Sequence, residues 1–423
     1  MPPKTFISKA RITRAMVASE KFDAVIVGAS FSGLMAAMAA RKSGKVLLIE
    51  KRKQPGTPVN STGAVPIEWI TKMDAYPSKD CIAGNIRGVE LVGPKGESAV
   101  LKKSEPDGMV LYPDRYVKWL ADRASDAGCV LMTDTTFKKL EVNRTSASGK
   151  KESAVSSLTV VTNRGDFQAN YVVGADGTGN IVGQCVGLGQ KPDPEDLHVG
   201  IEYHVENHNA QDPDIFRLYL GHELAPLGYA WSFPEGPDYL KVGVGIPESM
   251  GIKPKVYMDR FFEKYPQFKT KILKSNGGII PTAPPLKRAV KDNVLLVGDA
   301  AHFCSPLHGG GIWFGMQSGF LAGTAISEHN PMQYEKLWKE QLGGVLSRHY
   351  KLKRIIYSMT DNNFDNLISL LKKYADMQSE NVGLARAARG IFFANPAFMF
   401  DMALKWMKYG LTLAAVKRVI VPG

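Results

Sequence analysis

Short apolar runs, separated by turns of glycine and polar residues, recur along most of the chain. Residues 22–28 (FDAVIVG) have the pattern of a buried strand. A Gly/Ser turn and a helix of small residues to about Ser43 follow, and residues 45–50 (KVLLIE) have the pattern of the next strand. Strand, turn, helix and strand in this order predict a βαβ unit with parallel strands.

Later segments predict other kinds of structure. Residues 114–127 are expected to be helical, and residues 199–246 alternate as an antiparallel sheet does. Residues 294–298 predict a buried strand, followed by a glycine-rich turn and a long helix, and the chain beyond residue 331 reads as mostly helical. Residues 143–157 are polar and turn-rich, as at an exposed hairpin tip.

Composition excludes several classes of protein. Of the 423 residues, 44% are apolar and 22% are charged, which argues against disorder, collagen and coiled coil. The apolar runs are too short for a spanning helix, and the N-terminus lacks the apolar core of a secretory signal. Four cysteines far apart, without a CxxC pair, argue against a disulfide scaffold or a zinc site and fit a reducing compartment.

The charge is concentrated at the two ends. The net charge is +12, and residues 1–21 and 384–423 carry +4 and +5 of it. Such basic ends favour an anionic membrane surface over nucleic acid, because no nucleic-acid motif accompanies them, although solubility is the simpler reading. We therefore expect a cytoplasmic protein, peripherally associated with a membrane, whose residues 1–20 form a basic arm.

The turn after the first strand carries a nucleotide-binding pattern. Gly28 and Gly33 match the first and last glycines of GxGxxG, and Ser30 replaces the middle one. Such glycines let the backbone approach a pyrophosphate at a helix N-terminus, and Glu50, at the end of the second strand, is placed to accept from ribose hydroxyls. The pattern predicts a dinucleotide site. A second such turn with a ribose-binding acid is missing, which argues against a dedicated nicotinamide domain.

Aromatic residues alternate in a later segment. Tyr229, Trp231 and Phe233 fall on one face of a strand that Pro234 would end. Three rings on one face make an apolar wall, which could hold an apolar group by shape and contact. On its own, the pattern favours an ordinary sheet core.

Three segments carry a resemblance to a flavoprotein superfamily. Residues 174–177 (GADG) and 297–302 (VGDAAH) resemble flavin segments of proteins built like p-hydroxybenzoate hydroxylase, and residues 111–115 (LYPDR) resemble their helix entry. The resemblance covers roughly residues 22–330 and implies FAD, with Asp299 at the ribityl chain and Arg115 reaching the flavin.

Two further segments narrow the resemblance to the geranylgeranyl reductase family. Residues 306–312 (PLHGGGI) resemble its P-x-x-G-G-G-I segment, and residues 229–234 (YAWSFP) resemble its Y-x-W-x-F-P substrate motif. The family hydrogenates isoprenoid double bonds in lipids, chlorophyll or quinones. The resemblance implies reduction of geranylgeranyl chains of membrane lipids by hydride from reduced FAD, with Tyr229, Trp231, Phe233 and Pro234 binding substrate. It also implies that these residues contact FAD: Gly28, Ser30, Phe31, Gly33, Glu50, Lys51, Ser61, Thr62, Ala64, Arg115, Asp176, Gly177, Asp299, Gly309, Gly310, Gly311 and Ile312.

The implied fold is α/β, with a Rossmann-like FAD-binding domain of the p-hydroxybenzoate hydroxylase type, an antiparallel-sheet substrate domain and a C-terminal helical region. The expected boundaries are residues 21–75, 112–190 and 276–330 for the FAD-binding domain, 76–111 and 191–275 for the substrate domain, and 331–423 for the helical region.

One segment departs from the family pattern. Where many members read G-x-P-x-x-C-G, residues 56–63 place Ser61 at the Cys and Thr62 at the Gly. A serine supplies no thiol with a pKa near 8.5, so any role of that Cys in protonation or flavin tuning is in doubt here. Backbone contacts from the segment are expected to persist.

Several expectations stay open at this stage. His308 is the candidate proton donor, with water as its alternative and His302 and Cys304 nearby. The electron donor is NAD(P)H, ferredoxin or another reduced carrier. From Pro396 a helix with a wide apolar face and basic residues would lie in a membrane interface, gate a lipid tunnel or pack on the core.

Two alternative functions remain. One is a flavin monooxygenase or halogenase of the same fold acting on a small aromatic or apolar substrate. The other is a non-catalytic prenyl-binding escort protein. No metal site is expected.

Overall fold

The computed structural model describes residues 21–144, 155–207 and 212–379, together with 401–402, 404–405 and 408–409. The basic arm at 1–20, the centre of the hairpin tip at 143–157 and most of the helix expected from Pro396 lie outside these residues.

The elements predicted from the apolar patterns appear within a few residues of their expected positions, together with others that were not predicted. The strands are β1 Lys21–Val27, β2 Val46–Ile49, β3 Ala64–Pro66, β4 Ile82–Ile86, β5 Gly88–Val92, β6 Ser98–Lys102, β7 Gly108–Leu111, β8 Val130–Met132, β9 Phe137–Arg144, β10 Val155–Thr162, β11 Gly165–Gly174, β12 Leu197–Glu206, β13 Ile215–Tyr219, β14 Tyr229–Pro234, β15 Tyr239–Pro247, β16 Ile272–Pro281, β17 Val290–Lys291 and β18 Val294–Leu296. The helices are α1 Phe31–Ala40, α2 Ile67–Lys72, α3 Pro113–Asp126, α4 Ile181–Cys185, α5 Pro254–Lys264, α6 Ile312–Ser327, α7 Pro331–Trp338, α8 Gly344–Tyr357 and α9 Asp361–Ser379.

An eight-stranded sheet contains the predicted βαβ unit. Its order is β17-β18-β11-β1-β2-β8, and the hairpin β9–β10 is attached through β11. Strand β1 runs parallel to both β2 and β11, and β18 runs parallel to β11. The carboxyl ends of β1, β11 and β18 therefore meet at one edge, where ligands of such sheets bind.

A seven-stranded sheet, in the order β16-β12-β15-β14-β13-β5-β6, contains the aromatic strand β14. Its pairs are antiparallel, except that β13 runs parallel to β5. Helix α5 buries Met258 and Phe261 against the face of this sheet that carries Val242 and Val244. A three-stranded sheet β3-β7-β4 completes the architecture, which confirms the predicted fold class. The residue boundaries of the domains stay a prediction.

Helices α1 and α6 pack backbone to backbone. A Cβ at Gly319 would lie 2.1 Å from the carbonyl oxygen of Ser32, and one at Gly323 would lie 2.3 Å from that of Ala36. Only glycine fits at such distances, so small residues on both helices hold α6 close to the sheet edge.

The described residues near the C-terminus contact the last helices. Met402 is buried in a cluster with Ile355, Phe364 and Leu370 of α8 and α9, whereas Leu404 is exposed. Among the described residues, no helix has the length and apolar character needed to cross a bilayer.

Candidate active site

The turn between β1 and α1 is built around two glycines. Gly28 has φ +108° and donates its N–H to the carbonyl of Ile49 at 2.9 Å. A Cβ at Gly33 would lie 1.9 Å from the carbonyl oxygen of Gly28, so α1 starts directly against the turn. Ser30 occupies the N-cap position of α1, but its side chain makes no hydrogen bond to the N–H groups of the first turn. The Phe31 side chain packs inward, 6.0 Å from the ring of Tyr116.

Glu50 joins the second strand to the same turn. Its buried carboxylate accepts the N–H groups of Ala29 and Arg52, each at 2.9 Å. These bonds fix the carboxylate beside the turn while leaving lone pairs for further donors. The neighbouring Lys51 is exposed, and its charge offsets a small part of the rise that burial causes in the pKa of Asp176.

Asp176 follows β11 and is only half satisfied. Burial raises the pKa of its carboxyl, partly offset by the N–H groups of Val182 and its neighbours. Oδ2 accepts from Val182 at 2.9 Å, but Oδ1 is buried and has no hydrogen-bond partner among the described residues. Gly177 follows with φ +75°. A buried acceptor without a donor is costly, which indicates a ligand that supplies one.

Asp299 lies where β18 ends and faces the start of α6. Burial raises the pKa of its carboxyl to about 6, and no charge or hydrogen bond offsets it. A Cβ at Gly311 would lie 3.2 Å from Oδ1, so the carboxyl sits beside the helix N-terminus. Gly309 has φ +68°, and α6 begins at Ile312 without a side-chain cap. The partial positive charge of this terminus points into the site.

The segment that departs from the family pattern lies between the sheets. Ser61 Oγ accepts the N–H of Gly63 at 3.3 Å, and Ala64 begins β3. Thr62 Oγ1 donates to Glu202 of β12 at 2.6 Å. Arg115 is exposed, donates to the carbonyl of Asp80 at 3.0 Å and lies 4.2 Å over the ring of Tyr112.

Strand β14, which carries the three aromatic residues, ends at Pro234 as predicted. It lies beside the glycine segment, residues 309–311, that precedes α6. Tyr229 Oη donates to the carbonyl of His308 at 2.5 Å. Trp231 and Phe233 are buried on the same face, and Phe233 stacks on Phe216 at 4.7 Å between ring centroids. Indole Nε1–H of Trp231 donates to Glu202 at 3.0 Å.

The three polar candidates near α6 have distinct states. His308 is exposed, and its Nδ1 accepts the N–H of Gly310 at 3.2 Å, so the proton of the neutral ring is on Nε2. His302 is buried against the carbonyl of Pro284, and burial lowers its pKa. Cys304 donates to the carbonyl of Gly309 at 3.1 Å, and burial raises its pKa well above the usual value.

Two charged residues of the site were missed from the sequence. Glu202 and Lys241 are buried on strands β12 and β15, where Lys241 donates to the carbonyls of Thr62 and Leu111 at 2.9 and 3.2 Å. Both side chains lie on the same face of the sheet as Trp231, because strand residues alternate between the two faces. A charged residue at a position that the alternation assigns to the buried face was the signal in the sequence that could have identified them.

The acceptors at the sheet edge fit FAD. Glu50, Asp176 and Asp299 carry carboxylate oxygens that could accept from ribose and ribityl hydroxyls, and Asp176 Oδ1 has no donor among the described residues. The N-termini of α1 and α6 have no side-chain cap, so their N–H groups could donate to the phosphates and to the ring.

Comparisons with known proteins agree with this fit. The family model described as "Geranylgeranyl reductase catalytic domain" matches residues 196–280, and the one described as "FAD binding domain" matches residues 285–331. A digeranylgeranylglycerophospholipid reductase of Methanothrix thermoacetophila is 31% identical over 90% of this chain and 98% of its own. A protein of the same name from Methanococcus vannielii is 32% identical over 82% of this chain and 89% of its own.

A solved structure is similar over nearly the whole fold. It is a geranylgeranyl bacteriochlorophyll reductase-like protein from Thermoplasma acidophilum, with a TM-score of 0.79 and 26% identity over 91% of this chain and 99% of its own. Sequence identity of this extent, with the two family matches, shows the relationship. The chain is an FAD-dependent oxidoreductase of the geranylgeranyl reductase family.

Proposed function

We propose that this protein hydrogenates C=C double bonds in the geranylgeranyl chains of membrane glycerophospholipids. The observation that carries the proposal is the hydrogen bond from Tyr229 to His308, which brings the aromatic strand against the glycine segment before α6. A wall of aromatic rings therefore stands beside the place where the acceptors fit a flavin. The family relationship supports the reductase over the monooxygenase, halogenase and escort alternatives.

Distinct groups would hold each part of the cofactor. The turn at Gly28, Ser30 and Gly33 would hold the pyrophosphate, Glu50 the ribose, and Asp299 the ribityl chain. The remaining proposed contacts are Phe31, Lys51, Ser61, Thr62, Ala64, Arg115, Asp176, Gly177, Gly309, Gly310, Gly311 and Ile312. Bound FAD, once reduced, supplies the hydride for the alkene.

The chain's own residues would position the alkene, supply an electrostatic field at the flavin and exclude water. Tyr229, Trp231 and Phe233 would hold the polyprenyl chain by apolar contact and exclude water, since an unactivated alkene reacts only when it is closely placed. The N-terminus of α6 favours negative charge on a ring placed against it.

His308 is the proposed proton donor. Its neutral ring carries the proton on Nε2, because Nδ1 accepts from Gly310, so Nε2–H is the ring proton available to the substrate. The hydroxyl of Tyr229 is committed to the carbonyl of His308. Water is the alternative donor.

The remaining parts of the proposal concern delivery. The basic segments at 1–21 and 384–423 would attract an anionic membrane surface, where the lipid resides. NAD(P)H, ferredoxin or another reduced carrier would reduce the flavin. Bleaching of the flavin absorbance under anaerobic conditions, with each donor in turn, would identify it.

The experiment compares two tryptophan variants. Holoprotein is given a reductant and vesicles of digeranylgeranylglycerophospholipid, and products are followed by mass in steps of two hydrogens. We expect turnover by the wild type, retained flavin but impaired turnover in Trp231→Ala, and normal turnover in Trp119→Phe, whose ring lies on α3 over Tyr116. Unsaturated lipid recovered unchanged from the wild type would contradict the proposal.

A further inference from the structure

Glu202 is a buried carboxylate beside the aromatic wall. Its side chain is 5% exposed. Oε2 accepts both the indole N–H of Trp231 at 3.0 Å and the hydroxyl of Thr62 at 2.6 Å. Oε1 is buried without a hydrogen bond among the described residues, 3.7 Å from Nε2 of His204.

Burial of the Glu202 carboxylate destabilises the fold unless its partners offset the loss of water. Lys241, on the neighbouring strand β15, is engaged by Glu235 at 3.2 Å and by the carbonyls of Thr62 and Leu111. Glu202 therefore has two neutral donors and half of its acceptors unused, which leaves much of the burial cost in place. An apolar side chain would fill the position at lower cost, so stability does not explain the residue.

The indole of Trp231 rests on a surface of glycines, packs in a cluster with Ile86 and Val110, and meets the Tyr229 ring edge-on at 5.8 Å between centroids. Trp231 and Glu202 both pair with Gly243, on the strand between them. A Cβ at Gly243 would lie 2.3 Å from Cζ2 of the indole, and Cβ atoms at Gly245 and Gly200 would lie 3.5 and 3.7 Å from ring carbons. The ring lies over three glycines, and the bond from Nε1 to Glu202 is the directional contact that fixes its rotation.

The second donor comes from the segment proposed to touch the flavin. Thr62 stands where the family pattern has glycine, which has no side chain to donate to Glu202. Thr62, Glu202 and Trp231 thus form a continuous hydrogen-bonded connection from that segment to the aromatic wall.

We propose that Glu202 is a positioning residue that fixes the Trp231 indole relative to the Thr62 segment, and thereby sets where the substrate double bond lies. The inference rests on the proposed function and adds a residue to it. Loss of the acceptor frees the indole without removing apolar surface, so the rate of the hydride step falls while the KM for lipid changes little.

The test measures the hydride step per bound flavin. Prereduced holoprotein is mixed anaerobically with digeranylgeranylglycerophospholipid vesicles, and flavin reoxidation is followed. We expect Glu202→Met, similar in volume, to be slower by about tenfold with KM within about twofold. Glu202→Gln should recover to within about threefold of the wild type, because its amide oxygen still accepts from both donors.

A double-mutant cycle separates positioning from general damage. Glu202→Met should add little to the effect of Trp231→Phe, which already lacks the indole N–H. Fully additive effects, or a wild-type rate in Glu202→Met, would overturn the proposal.

A threonine pair keeps the test decisive if Glu202→Met does not fold. Thr62→Val should slow the step by about threefold. The matched Thr71→Val should not, because its hydroxyl bonds within the exposed helix α2. Equal rates for the two variants would count against the connection.

Tryptophan fluorescence makes the positioning claim independent of turnover. The change caused by Glu202→Met should be present in the wild-type background and absent in Trp231→Phe, and an equal change in both would refute it. Failure of lipid to reoxidise the wild-type flavin would instead contradict the proposed function, and the fluorescence cycle would still decide the role of Glu202.

Discussion

The contact between α1 and α6 gives a sharp test of the fold, because two glycines on one helix make opposite predictions. At Gly319 a Cβ would lie 2.1 Å from the carbonyl oxygen of Ser32 and 2.9 Å from its carbonyl carbon. At Gly315 the nearest atoms are Cβ of Ser32 at 3.6 Å and Cα of Gly298 at 3.7 Å, which is ordinary van der Waals contact.

The magnitudes follow from two opposing effects. Alanine gains about 1 kcal/mol over glycine in a helix interior. Forcing a methyl group into a packed contact costs about 1–3 kcal/mol, toward the upper end where the neighbour is backbone that cannot rotate away. Gly319→Ala should therefore be destabilised by about 1–2 kcal/mol and Gly315→Ala stabilised by up to about 1 kcal/mol.

Thermal unfolding and flavin content measure both consequences. The Tm should rank Gly315→Ala at or above the wild type and Gly319→Ala below it. Because α6 must move away from α1, Gly319→Ala should also retain less FAD, since the helix carries Gly311 and Ile312 at its start. Equal Tm values for the two variants would refute the backbone-to-backbone packing.

Three further predictions concern titrating groups and the hydrogen bond from Tyr229 to His308. Asp299 has a pKa near 6 without a ligand donor, so FAD should bind the apoprotein more weakly as pH falls from about 7 to about 5, and Asp299→Asn should remove this dependence in equilibrium titrations. Burial lowers the pKa of His198 to about 4 and that of His349 to about 3. The unfolded chain therefore binds more protons below pH 6.5, and the Tm should fall as pH drops from about 6.5 to about 4, which a flat profile would contradict. Tyr229→Phe removes the donor to the carbonyl of His308, and should keep FAD while slowing lipid turnover by about fivefold. An unchanged rate would show that this hydrogen bond does not position the aromatic strand for turnover.

Much of the fold could be predicted because local patterns and tertiary structure agree. The run of small and apolar residues from 22 to 50 specifies β1, α1 and β2, and glycines fix the turn. The predicted long helix begins at Ile312, directly after its glycines. The pairing of β5 with β13 has no local signal, because it joins strands more than a hundred residues apart.

The site was harder to predict because its polar contacts are between segments. The nucleotide-binding pattern pointed to Glu50, and the resemblance to the flavoproteins pointed to Asp176 and Asp299. The partnership of Thr62 and Trp231 with Glu202 depends on strand register across the sheet, which one sequence does not reveal. The tautomer of His308 with its proton on Nε2 likewise depends on the turn at Gly310.

The central claim is that reduced flavin in this protein gives its hydride to a polyprenyl double bond. The most direct measurement reduces the holoprotein with dithionite under anaerobic conditions and adds digeranylgeranylglycerophospholipid. The account predicts flavin reoxidation together with a gain of two hydrogens in lipid mass per flavin. A flavin that stays reduced with lipid, but reoxidises with O₂ and an aromatic acceptor, would contradict it.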